Sequence, residues 1–222
     1  MDTKLASLAS TLSIVANEEK ATLKQLKLIH GDIKREDFLW HYLLQSFSTM
    51  GRSAGWHGLI GNKDNYNRIT FEELNSLNEE QRVIVVNEVC KKAKIRMHAK
   101  KAAFILECFK QIKELGGPEK AKNKLLSLEG RDKKIRFLMQ FHGIGEKYSR
   151  NIMMDVYHED FRDSIAIDTR IKEISKLLGV EFDSYEEEEQ FYLAAANQAG
   201  LNGWEVDRLL YNFKDKFKKH LA

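Results

Sequence analysis

Apolar residues recur three and four positions apart along almost the whole chain, and alternating runs bounded by turns are nearly absent. That spacing predicts an all-α fold. Leu5, Leu8, Leu12 and Val15 make one stripe, and Leu23, Leu26 and Ile29 make another before Gly31, so two short N-terminal helices are expected. Residues 35–50, with Phe38, Leu39, Tyr42, Leu43 and Phe47, are too apolar for a surface helix and are expected to run through the core. Four glycines and three asparagines between 51 and 69 predict an ordered surface loop or a short helix. Thr70 with Glu73, Asn78 with Gln81, Ser184 with Glu187 and Asn202 with Glu205 have capping-box spacing and set four helix starts. Residues 79–115 read as two helices broken near 94–97, stopped by Gly116-Gly117-Pro118, with shorter helices over 119–128 and 131–141. The acidic run 186–189 reads as a solvated capping turn.

Composition narrows the class. A chain of 222 residues that is 43% hydrophobic can bury a substantial core, and its single proline, Pro118, excludes proline-rich or collagen-like architectures. Thirty-six basic against 33 acidic residues give a net charge of +3, too mild to identify a polyanionic partner. Two cysteines, Cys90 and Cys108, are too few for a four-cysteine cluster or a disulfide framework. The amphipathic start and the lack of an apolar stretch near the ~18 residues that a span needs predict an intracellular protein, in cytoplasm, nucleoid or nucleus, with no membrane partner.

Chemistry concentrates in two segments. From Ile135 to Ile152 an apolar helix runs into Gly143-Ile144-Gly145, and a second helix follows at once with Lys147 in its first turn. Glycines there allow a tight corner whose exposed amides, backed by a helix N-terminus, suit a phosphate. The same Gly-x-Gly corner also serves ordinary helix connections. Downstream, the short apolar run Ser164-Ile165-Ala166-Ile167 delivers Asp168 to the start of a helix whose stripe is Ile171, Ile174, Leu177 and Leu178, ended by Gly179. Taken alone, Asp168 is an N-cap.

Together these segments resemble the helix-hairpin-helix DNA glycosylase superfamily, which includes relatives of endonuclease III and the 8-oxoguanine glycosylases. The family hairpin reads approximately Leu-Pro-Gly-Val-Gly-x-Lys, with Val-Asp-Thr-His further along. This chain has Phe141-His142-Gly143-Ile144-Gly145-Glu146-Lys147 and Ile167-Asp168-Thr169-Arg170. The resemblance implies two helical lobes with an active-site cleft between them, a central lobe over about 34–160 and a second made of 1–33 and 161–222. It implies that Lys147 is a Schiff-base nucleophile and Asp168 the catalytic carboxylate. His142, Gly143, Gly145, Tyr148, Arg150 and Arg170 are the expected DNA contacts, with Gln45 and Arg52 as candidates for the wedge that fills the vacated stack. His142 stands where the family has proline, and Arg170 where it has histidine, which keeps a positive charge for phosphate. The missing four-cysteine cluster points to the oxidised-purine branch.

The expected reaction is excision of an oxidised base such as 8-oxoguanine from double-stranded DNA by a monomer, followed by β-elimination, without metal or organic cofactor. A carboxylate in a poorly solvated pocket would stabilise positive charge on the sugar, and a lysine at a half-buried helix start would lose its proton more easily than in water. The target base must leave the duplex first. Three alternatives stand beside this: a monofunctional glycosylase for alkylated or mismatched bases, a non-catalytic DNA-binding module using the corner as a phosphate clamp, and an α-helical interaction protein unrelated to DNA. Basic clusters at 91–101 and 214–219 are candidates for the duplex flank or plain solvated faces. Trp204, Phe191 and Tyr192 read as core, with stacking on a flipped base as the other reading.

Overall fold

A computed structural model describes residues 2–51 and 53–221. The described residues are helical with no strand, and none of their helices is long and apolar enough to cross a membrane. The chain folds as two compact units, Asp32–Ile144 and a discontinuous unit of Met1–Gly31 with Gly145–Ala222.

The discontinuous unit begins with α1 (Asp2–Glu18) and α2 (Lys20–Leu28) and resumes with α11 (Glu146–Met154), α12 (Thr169–Leu178), α13 (Tyr185–Gln198) and α14 (Gly203–Leu221), the elements between belonging to the other unit. Helix α1 packs on α13 and α14, so the chain's two ends share one core. Leu8, Leu12 and Val15 meet Ile171, Ile174, Tyr192, Leu209 and Phe217 there, all buried as their helical spacing requires. The second expected stripe fails at its end: Leu23 is buried, but α2 stops at Leu28 and Ile29 is 77% exposed.

The Asp32–Ile144 unit holds α3 (Phe38–Thr49), α4 (Ala54–Gly58), α5 (Lys63–Asn67), α6 (Phe71–Ser76), α7 (Glu79–Lys92), α8 (His98–Glu114), α9 (Pro118–Ser127) and α10 (Arg131–Leu138). Helix α3 runs through its core as its composition dictates, packing on α8, α9 and α4, with Phe38, Leu39, Trp40, Leu43, Leu44 and Phe47 fully buried. Trp40, Phe71 and Phe109 form an aromatic cluster with centroids 4.8–6.1 Å apart. The break before α8 is made by Lys94 and Met97, both at φ +56.

Two of the four capping boxes are complete, Asn78 with Gln81 and Asn202 with Glu205. Thr70 and Ser184 accept the N3 amide in the expected way, but Glu187 turns to the Asp183 amide instead of closing its box. The boundary after 144 differs from the expected one near 160. Buried side chains tie α11 to its own unit: Arg150 pairs with Glu189, Trp204 Nε1 donates to the Met154 carbonyl, and Arg208 bridges to Asp155.

Candidate active site

Helix α10 ends in a corner held by backbone hydrogen bonds from Phe141 N to Leu138 O and from Ile144 N to Phe141 O. Phe141 and Ile144 plug it inward, while His142, Gly143 and Gly145 are exposed. One face of α8 shapes it. Phe104 lies under Gly143 so closely that a Cβ there would sit 2.4 Å from the ring, Cys108 Sγ donates to the His142 carbonyl at 3.5 Å, and Gln111 Oε1 accepts from the His142 amide at 3.1 Å. Gly143 also has φ +84, so both the backbone and the space demand glycine. Gly145 differs: its backbone is extended and nothing lies within 4 Å of a would-be Cβ.

Gly145 is the N-cap of α11 and supplies no capping side chain, which leaves the helix's opening amides without a local acceptor. Lys147 is the second residue of that helix and half-buried. Its ammonium lies 4.4 Å from the Tyr148 ring centroid and, among the described residues, forms no ion pair. Such a cation over a ring is held loosely and can leave it.

Asp168 is the N-cap of α12. Its Oδ1 accepts from the Arg170 and Ile171 amides at 2.8 and 3.1 Å, and its Oδ2 faces Arg170 Nη1 at 3.2 Å. The side chain is 11% exposed and lies in the same compact unit as Lys147. No hydrogen bond or ion pair among the described residues joins the two. Arg170 stacks 4.1 Å from the Tyr211 centroid and stays partly exposed.

Arg150, an expected DNA contact, is buried and paired within its own unit. Its side chain is 6% exposed, with Nε and Nη2 donating to Glu189 at 2.9 and 2.8 Å and Nη1 directed at Glu146. Burial opposes its charge, the Glu189 carboxylate outweighs that, and the guanidinium's pKa is raised. Four of its five N–H groups are thereby directed at Glu146 and Glu189. Gln45 is half-buried near the end of α3, and Arg52 lies outside the described residues.

No family model, curated protein or solved structure matches this chain.

The acidic run is also corrected. Glu189 is fully buried, and Glu188 is buried and accepts from Ser175 Oγ at 2.8 Å. Both lie on the face of α13 that also carries Tyr185 and Tyr192, a helical spacing that the run of four glutamates concealed. Another buried acid, Asp207 on α14, accepts from the Ala166 amide at 2.9 Å. Burial pushes its carboxyl up to about 6 against the opposing pull of Arg208 and the Ala166 amide, with Asp168 and Asp155 adding to the rise. Basic residues near the C-terminus are committed to acids: Lys214 and Lys218 to Glu173, and Lys216 to Glu18 and Glu19. In the other basic cluster, Lys101 is buried against Met50, Phe47 and Phe104.

Proposed function

We propose that the protein is a DNA glycosylase of the helix-hairpin-helix superfamily with abasic-site lyase activity, acting on an oxidised purine in double-stranded DNA. One observation carries the reading. An exposed glycine corner feeds a helix with no side-chain cap, whose second residue, Lys147, presents an amine that has no carboxylate partner among the described residues, in the same compact unit as the carboxylate that starts α12.

Gly145 and the opening amides of α11 suit a backbone phosphate, which would bring the adjacent deoxyribose toward Lys147. After the ammonium gives a proton to water, the amine nitrogen bonds to C1′ as the bond from C1′ to the base breaks and the base takes the proton that the nitrogen sheds; the C1′–O4′ bond then breaks, the remaining N–H proton passes to O4′, and an imine is left. Loss of a C2′ proton then expels the 3′ phosphate and breaks the strand. Asp168 supplies negative charge beside the sugar as positive charge develops. Its two amide bonds and Arg170 fix the direction of that charge. Arg170, still partly exposed, remains a candidate phosphate contact.

Single-turnover release across a panel of oxidised, alkylated and mismatched duplexes, with borohydride trapping, tests the proposal. Release of an oxidised purine and a covalent adduct lost in Lys147→Gln are expected; no release from any duplex overturns it. One observation favours a second reading, a non-catalytic duplex-binding module: the Asp168 carboxylate is already committed to its cap. Duplex binding without base release would select it.

A further inference from the structure

The segment that delivers Asp168 lies outside any helix and, among the described residues, no strand runs beside it, so its buried amides must find acceptors elsewhere. Three consecutive amides find them on side chains. Ile165 N donates to Glu189 Oε1 at 2.9 Å, Ala166 N to Asp207 Oδ1 at 2.9 Å, and Ile167 N to the Tyr185 hydroxyl at 2.8 Å, which in turn donates to the Ile165 carbonyl. Glu189 does more than its neighbours. The Oε1 that receives Ile165 also receives Arg150 Nε, and Oε2 receives Arg150 Nη2, while the guanidinium lies 4.4 Å from the Tyr185 centroid.

We propose that Glu189 is a positioning residue which holds Lys147 and Asp168 in one register. Arg150 stands one helical turn beyond Lys147 on α11, and Ile165 stands three residues before Asp168, so one buried carboxylate grips both supports. This inference rests on the glycosylase reading. An apolar pair would fill the same volume without desolvating two charges, but it would leave the Ile165 amide without an acceptor and α11 without a tether to the segment. Reacting groups displaced by about 1 Å lose on the order of a hundredfold in rate, so a rigid link between amine and acid has a direct kinetic consequence.

The test compares wild type, Glu189→Gln and the double variant Arg150→Met/Glu189→Gln. The double variant removes both charges together and leaves no lone buried ion, while glutamine can still accept from Ile165. Thermal melts check folding, and affinity is read on a duplex carrying a tetrahydrofuran abasic analogue. Single-turnover release is measured on an 8-oxoguanine duplex, and borohydride trapping on a preformed abasic duplex. For each folded variant the inference expects affinity within about twofold of wild type and base release at least tenfold slower. Trapping, which asks less of the acid, should fall by a smaller factor. Wild-type release matched by a folded variant overturns the positioning role alone. Absence of release by wild type overturns the glycosylase reading and this inference with it.

Discussion

At the scale of single residues, Asp168 is an N-cap in the structure and the catalytic carboxylate in the proposal, two duties that substitution can separate. Asparagine caps a helix about as well as aspartate, whereas alanine costs about 0.5–2 kcal/mol. Asp168→Asn is therefore expected to melt close to wild type while losing base release, and Asp168→Ala to lose both; release by Asp168→Asn at the wild-type rate would reduce the residue to its cap. That cap is visible in the sequence, since an acid after a short apolar run and before a helical stripe has one local role. Glu189 and Asp207 are not visible in the same way. A carboxylate's burial depends on an arginine or an amide far along the chain, and no local pattern announces such a partner. Asp207 has its own signature. It keeps its proton to about pH 6 in the fold but only to about 3.8 when unfolded, so the folded form binds more protons between those values and stability falls as pH rises through them, by about 3 kcal/mol in all. His41, which burial and the nearby Arg35 lower to about 4, slopes the other way in the same range. The difference between wild type and Asp207→Asn isolates the first group. Urea unfolding should find the variant gaining on wild type between pH 4.5 and 7.5, and a constant difference would contradict the assignment.

Among the elements, the corner before α11 makes opposite demands on its two glycines. Gly143→Ala forces a Cβ into Phe104 at positive φ and is expected to destabilise by about 1–3 kcal/mol. Gly145→Ala meets open space on an extended backbone and should fall within about 0.5 kcal/mol of wild type. Denaturant melts of both check this, and equal losses would contradict the geometry described. Helix boundaries were legible wherever a cap, a glycine or the proline marked them, as at Asn78, Pro118 and Gly179. The supports of the corner were less so. Phe104, Cys108 and Gln111 share one face of α8, yet their sequence spacing says only that α8 has a buried side, not which turn it holds.

For the whole molecule, the all-α class follows from periodicity alone, because a 3.6-residue pattern running from end to end leaves no segment suited to a half-buried strand. The division into units was only partly readable. Apolar stripes mark buried faces without saying which helices share a core, so the joining of the chain's two ends was an implication of the family resemblance alone, and the boundary after 144 depends on Arg150, Trp204 and Arg208 reaching partners that no local pattern reveals. At this scale the proposed function reduces to whether one amine forms a bond to DNA. Borohydride reduction of wild-type protein on an abasic duplex, followed by digestion and mass spectrometry of the cross-linked peptide, reads that bond directly. A single adduct on Lys147 that disappears in Lys147→Gln is expected; no adduct, or one carried by another lysine, would contradict the proposed lyase chemistry.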